Sequence, residues 1–285
     1  MQEIPDPTFR YPRLLTIAGS DSGGGAGIQA DLKTFAALGA YGMSAITALT
    51  AQNTTGVRAI HSVPADMLEA QIDAVVEDIG VDAVKIGMLH SVETVAAVAR
   101  ALDRHRLPSS IPIVLDPVMV ATSGAVLIDH AAIDALVREM FPRATLITPN
   151  LDEASLLVGG AIEDEMAIEA AALRLIAMGA NAVLVKGGHL DGGTVSDLLV
   201  ERNGATRWMR APRIATSNTH GTGCTLSSAI ATHLAFGYAL VDALERARDY
   251  VRGALAAGAR ARTGAGSGPL NHSFDPQAMR AVPLR

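Results

Sequence analysis

The chain reads as an α/β protein: one mostly parallel central sheet with helices packed on both of its faces. Three observations predict it. Short apolar runs alternate with segments of helical periodicity along nearly the whole chain, which implies right-handed crossovers between parallel strands. Hydrophobic residues make up 49% of the 285 positions and aromatics only 4%, so a sizeable core is available and aliphatic side chains must fill it. The loops after the apolar runs are glycine-rich or polar, and in open sheets of this kind ligands bind outside the carboxyl ends of the strands.

In order, a proline-bearing tail over 1–12 leads into residues 13–18 (Arg-Leu-Leu-Thr-Ile-Ala), which predict a buried strand. Ile28, Leu32, Phe35 and Leu38 recur at helical spacing and predict a helix over 27–38. A strand follows near 43–51. A helix over 65–79 has Met67, Leu68, Ile72, Val75, Val76 and Ile79 as its inner stripe. The cycle continues as strand 82–86, helix 92–104, strand 112–116, helix 130–140 and strand 144–148. A short helix starts near Asn150, a longer one covers 164–178, and strand 181–186 follows. Two runs around 195–200 and 206–210 predict an antiparallel edge, and helices over about 222–236 and 240–260 close the pattern. Residues 13–285 contain no linker, repeat or low-complexity segment, so a single domain is expected.

Bulk chemistry removes several function classes. A net charge of −6 offers no footprint for nucleic acid or anionic lipid. The single cysteine, Cys224, excludes an intramolecular disulfide and a cysteine-rich metal site. Residues 34–57 and 214–241 lack Asp, Glu, Lys and Arg, but Gly39, Gly42, Gln52 and Asn53 interrupt the first. The second opens on a polar stretch that leaves too few apolar residues to cross a bilayer. The N-terminus lacks the charged and apolar regions of a signal peptide, so a cytoplasmic protein is expected. Only Lys33, Lys85 and Lys186 are lysines, which marks them for work that a compact ammonium does best.

The loops carry the candidate chemistry. Residues 19–27, GSDSGGGAG, fit neither the Rossmann nor the Walker A pattern, and no Gly-Lys pair exists in the chain. The loop is either a tight turn or a place of close backbone approach, next to Asp31. Asp116 ends a strand at the ligand edge, where it can face a ligand or brace the Pro117 turn. Asn150 and Glu153, one helical turn apart, offer oxygen atoms suited to Mg²⁺, although capping alone explains acidic residues there. Residues 216–224, TSNTHGTGC, run straight into an apolar helix. Glycines there free backbone N–H groups to face an anion, and the helix dipole favours a Cys224 thiolate; the plain alternative is a small buried hydrophobe. Lys186 ends a strand within reach of phosphate oxygens. His189 and His220 receive no catalytic role.

Taken together, these stretches resemble the hydroxymethylpyrimidine/phosphomethylpyrimidine kinases of thiamine biosynthesis, a branch of the ribokinase-like superfamily. The resemblance runs through TIAGSDSGGGAGIQADLKT (16–34), AITALTAQN (45–53), KIGML (85–89), DPVM (116–119), TPN (148–150), KGGH (186–189) and NTHGTGCTL (218–226). It implies a ribokinase-like three-layer sandwich. It also implies ATP and Mg²⁺ as cofactors, an aminopyrimidine acceptor phosphorylated twice in one site, and a homodimer without nucleic-acid or membrane partners. By resemblance, Gly19, Asp31, Gln52, Met88 and Val118 form the pyrimidine pocket, and Gln52 reads the ring with its amide. Asn150, Lys186 and Thr219 lie with ATP, and Glu153 and Asp116 with the metal. Gly221, Thr222 and Gly223 make the anion hole, and Cys224 is the general base.

Two departures stand out: Ala125 replaces an acidic residue common in relatives, and the stretch after Gly264 lacks their His-rich tail. No substrate contact is therefore expected beyond residue 264. Two other readings stay open. A pyridoxal kinase would perform the same reaction on a similar flat ring. A thiol-nucleophile enzyme, or a non-catalytic sensor of thiamine precursors, would be a different class, and the nucleophile would want a histidine beside Cys224.

Overall fold

The structure, a computed structural model, describes residues 7–120, 128–188 and 192–284. Its elements are β1 (Phe9–Arg10), β2 (Arg13–Asp21), α1 (Gly27–Ala37), β3 (Tyr41–Asn53), β4 (Gly56–Ser62), α2 (Ala65–Asp78) and β5 (Ala83–Ile86). Then come α3 (Val92–Arg104), β6 (Ile113–Leu115), α4 (His130–Met140), β7 (Leu146–Ile147), α5 (Leu151–Val158) and α6 (Glu165–Ala177). The chain ends with β8 (Ala182–Val185), β9 (Thr194–Glu201), β10 (Thr206–Pro212), α7 (Thr222–Ala235), α8 (Leu240–Gly258) and β11 (Val282–Pro283).

Nine strands form one sheet in the order β10-β9-β8-β7-β6-β5-β2-β3-β4. The run from β3 through β2, β5, β6 and β7 to β8 is parallel, whereas β4, β9 and β10 are antiparallel to their neighbours. Each central strand is apolar on both faces, as a doubly covered parallel sheet requires. Leu15, Val84 and Leu115 point to one side, where α2 to α6 cover them. Leu14, Ala83 and Val114 point to the other, under α1, α7 and α8. Each such leucine stabilises the fold by about 1.5–3 kcal/mol.

The predicted antiparallel edge near 195–210 is present as β9 and β10. Two expectations are corrected. The strand expected to stop near 51 continues to Asn53 and folds back through β4, an edge strand. Most of β4 is exposed, so it lacks the apolar stripe that periodicity detects. The expected tail is not all tail: Phe9 and Arg10 pair with Pro283 and Val282, and Arg10 Nη1 meets Asp82 Oδ2 at 2.5 Å. The features noted at Ala125 and His189 lie outside the described residues.

Candidate active site

From β2 the chain moves outward to β3, then crosses back to place β5 on the other side of β2. That reversal opens a crevice beyond the carboxyl ends of β2 and β5. A cavity of about 780 Å³ occupies it and runs along this edge of the sheet. Strand order sets its walls. Gly19, Gln52, Met88 and Val118 stand at the β3 side, Asp116, Lys186 and Cys224 in the middle, and Val195 and Ile214 toward β9 and β10.

Two glycine segments interlock at the centre. Asp21 ends β2, and its carboxylate accepts from the N–H groups of Gly23, Gly25 and Ala26 at 2.8, 3.0 and 2.9 Å, curling the loop around itself. Burial opposes this charge, but His220 and the loop amides outweigh it and hold Asp21 below the usual carboxylate range. Lys33 Nζ donates to the Gly24 carbonyl at 2.7 Å. Gly221 caps α7 with φ 82°, and a Cβ on it would stand 1.9 Å from the Gly25 carbonyl oxygen. Only glycine fits that contact. No side chain caps the first turn of α7, and among the described residues the amides of Gly223 and Cys224 have no acceptor. The Thr222 amide, by contrast, donates to the Thr219 carbonyl at 3.2 Å, so within the expected 221–223 set this one amide is already occupied, while the Gly221 N–H has no acceptor among the described residues.

Charge gathers around those amides. Lys186 Nζ lies 2.7 Å from Asp116 Oδ1 and 3.9 Å from Glu153 Oε2. A methyl group on Gly223 would be 3.1 Å from the same ammonium, so cation and free amide face one space. Burial disfavours the Lys186 charge, but Asp116 and Glu153 hold it above the ordinary lysine value. Burial, aided by Asp116 and opposed by Lys186, pushes Glu153 up to about 7. Asn150 and Glu153 close a capping box on α5: Asn150 Oδ1 accepts from the Glu153 N–H, and Glu153 Oε2 accepts from the Asn150 N–H. Asn150 thereby commits the oxygen expected to face a metal.

Beneath the cavity a second ion pair is sealed. Lys85 Nζ lies 2.9 Å from both oxygens of Asp31, and both side chains are 0% exposed. Thr16 and Ser228 complete the Asp31 carboxylate at 2.6 and 2.8 Å. Asp31 is therefore not a wall of the pyrimidine pocket as expected; it is the counter-ion that lets Lys85 stand at the cavity floor. The thiolate expected at Cys224 is also corrected. Burial pushes the thiol up to about 11, although the Lys85 charge and the Gly27 N–H both favour ionisation.

Gly19, Gln52, Met88, Val118, Asp116, Asn150, Glu153, Lys186, Thr219 and Gly221 to Cys224 all line this one cavity. A Cβ on Gly19 would strike Met88 Cε at 2.6 Å, so that glycine makes room for the sulfur side chain. Gln52 Oε1 accepts from Thr50 Oγ1 at 3.2 Å, and its Nε2 has no partner among the described residues. The sequence reading missed Asp21, His220 and the Lys85–Asp31 pair as site architecture. His220 turns Nε2 to Asp21 Oδ2 at 2.8 Å, not to Cys224. The scarcity of lysine was the available signal, and all three lysines serve this edge.

The comparisons agree with this geometry. A family model described as Phosphomethylpyrimidine kinase matches residues 21–271. The chain is 53% identical over 261 residues to the hydroxymethylpyrimidine/phosphomethylpyrimidine kinase of Rhizobium meliloti, covering 90% of this chain and 96% of that protein. It is 50% identical over 272 residues to the thiamine biosynthesis bifunctional protein ThiED of Geobacter sulfurreducens, covering 95% of this chain and 54% of that longer protein. Among solved structures, an ADP complex of Bacillus subtilis pyridoxal kinase superposes with a TM-score of 0.85 at 34% identity, covering 93% of this chain and 98% of that one. The ribokinase-like architecture implied by the motifs is thus the one observed, and the chain belongs to the phosphomethylpyrimidine kinase family.

Proposed function

We propose that this chain transfers the γ-phosphoryl group of ATP to the hydroxymethyl oxygen of 4-amino-5-hydroxymethyl-2-methylpyrimidine, and then a second phosphoryl group to the monophosphate, in thiamine biosynthesis. One observation carries the reading. One cavity is lined by Gln52, Met88 and Val118 at its β3 side and, nearer its middle, by Lys186 and by Gly223 and Cys224, whose amides have no acceptor among the described residues. In this reading the ring of a flat acceptor lies at the first group and its hydroxymethyl oxygen beside Cys224.

In the transfer the bond between the acceptor oxygen and phosphorus forms, the bond from phosphorus to the ADP oxygen breaks, and the hydroxyl proton leaves. Such transfer is largely a matter of positioning and of stabilising charge. The α7 amides and Lys186 supply fixed positive charge where the phosphoryl oxygens sit, and one such donor is worth roughly 2.7–4 kcal/mol. Cys224 accepts the proton in its ionised form, which burial makes scarce even though the Lys85 charge favours it.

Mg²⁺ belongs to the same proposal. Asp116 and Glu153 present two hard carboxylates beside Lys186, and burial leaves Glu153 short of positive charge. That donor set fits an ion held by one or two carboxylates and phosphate oxygens. When bound, the ion neutralises phosphate charge. A cytoplasmic homodimer completes the reading. The dimer is supported by the exposed β3–β4 edge, where Leu49 on β3 and Ile60 on β4 are 48% and 40% exposed, and light scattering in solution would test it.

The deciding experiment is turnover of labelled ATP with hydroxymethylpyrimidine and with pyridoxal, compared as kcat/KM. The pyrimidine should win. A preference for pyridoxal would assign the chain to the other branch, and turnover of neither would remove the kinase reading.

A further inference from the structure

The G-x-G-x-G-P stretch over 264–269 is used by none of the roles above. Each of its glycines is pressed against a neighbour. A Cβ on Gly264, at φ 77°, would stand 2.2 Å from Thr54 Oγ1, and one on Gly266 would stand 1.9 Å from the Thr54 carbonyl oxygen. One on Gly268 would stand 2.2 Å from Asn218 Oδ1. Hydrogen bonds run the same way. The Gly266 N–H donates to Thr54 Oγ1 at 3.2 Å, and Ser267 Oγ donates to the Ser217 carbonyl at 2.9 Å. The His220 N–H donates to the Gly268 carbonyl at 3.1 Å. Asn218 Nδ2 donates to the carbonyls of Gly258 and Ala261 at 2.7 Å, anchoring this junction to the end of α8.

Thr54 is the turn of the β3–β4 hairpin, which carries Gln52. That turn needs support. The pairing of β3 with β2 ends at Thr50, so beyond that point β3 is laddered to β4 alone. Ser22 holds the Gln52 backbone on one side at 2.8 and 2.9 Å. Residues 264–269 hold the turn on the other and join it to the loop that opens α7. A cavity of about 360 Å³ lies between them and shares Gln52 and His220 with the main cavity.

We propose that residues 264–269 are a positioning strap, which fixes the hairpin bearing Gln52 at one distance from the anion-binding amides of α7. The acceptor ring is held at the hairpin and the phosphate at the helix, so the strap sets the hydroxyl against phosphorus. A displacement of about 1 Å at such a point can cost 10²-fold in rate. The inference rests on the proposed kinase reading.

The test uses the full chain with ATP and hydroxymethylpyrimidine. Thr54→Val removes the acceptor for the Gly266 N–H and keeps the shape, whereas Thr54→Ser keeps the acceptor. Thr54 is half-buried at a turn, so neither change threatens folding, and an unfolding scan checks this. Thr54→Val should raise the KM for the pyrimidine and lower kcat by about two- to tenfold each, the effect of one hydrogen bond. The Kd for ATP should not move, and Thr54→Ser should restore both constants. Ser267→Ala should act alike, and the double variant should fall short of the product of the two, because both release one strap. Unchanged kinetics in Thr54→Val, full multiplication in the double variant, or an equal loss of ATP affinity would overturn the proposal. Wild-type protein inactive on the pyrimidine would instead count against the kinase reading.

Discussion

His220 Nε2 lies 2.8 Å from Asp21 Oδ2, so a contact between residues 199 positions apart clasps the glycine loop after β2 to the opening of α7. The carboxylate that receives this bond also holds three loop amides. His220→Ala leaves it buried with one partner fewer. We expect a loss of about 1–3 kcal/mol in stability, together with weaker ATP binding, because Gly221 is seated on Gly25. Urea unfolding and calorimetric titration with ATP check both, and a variant that keeps its stability and its ATP affinity would contradict the clasp.

In the proposed transfer, Cys224 sets the dependence of rate on pH. If the ionised thiol takes the proton and the free protein holds that thiol near 11, kcat/KM should climb about tenfold per pH unit on the acid side of that value. Cys224→Ala should cut kcat by about 10²–10⁴ while leaving ATP affinity alone, because the anion site is backbone. Cys224→Asp should recover part of the rate and level off near neutrality, since a carboxylate is already ionised there. A wild-type profile flat between about pH 6 and 9 would exclude the thiol as the titrating base.

Gln52 lines the β3 side of the cavity, and its Nε2 has no partner among the described residues. Gln52→Ala should weaken pyrimidine binding by about two- to tenfold and leave ATP binding unchanged. Calorimetry with each ligand separates the outcomes, and lost ATP binding with intact pyrimidine binding would reverse the assignment of the two ends.

Stability should fall on acidification, with a sign that depends on three buried groups. Burial and nearby cations, Arg246 and Arg280 for His233 and Lys33 for His272, hold both imidazoles down to about 4. Their contribution is present above the unfolded value near 6.5 and is lost as pH falls toward 4. Glu153, raised to about 7, acts in the opposite sense: its proton stabilises the fold as pH falls from 7 toward 4.5. Within the window between pH 6.5 and 4.5 each of these imidazoles therefore adds about 1.4 kcal/mol per pH unit to the loss on acidification, and Glu153 subtracts as much. Glu153→Gln, which preserves the capping box, should steepen the wild-type slope by about 1.4 kcal/mol per pH unit, and His272→Gln should flatten it by as much. Urea unfolding at three pH values in that window decides it; equal slopes in all three proteins would refute the assignment.

The sheet was legible because its central strands are doubly buried and therefore continuous in apolar residues, while its helices keep one polar face. Strand β4 was not, since an exposed edge strand has no buried face to write into the sequence. In the site, the glycines and Cys224 were legible from their place before an apolar helix. The ionisation of Cys224 was not, because the dipole visible in the sequence competes with a burial that only packing reveals. Asp31 was assigned to a ligand because its partner, Lys85, lies 54 positions away on another strand. Nothing local distinguishes a carboxylate facing substrate from one facing a buried ammonium.

The placement of the three lysines has a practical consequence. Lys85 is sealed, Lys186 is engaged with Asp116, and Lys33 is exposed beside the glycine loop. Reagents that acylate amines therefore find one open lysine side chain, on α1 beside the glycine loop. A sample tethered to a sensor chip or tagged with a fluorophore through lysine is modified beside the loop that Asp21 organises, so attachment is better made on α6, which does not line the cavity.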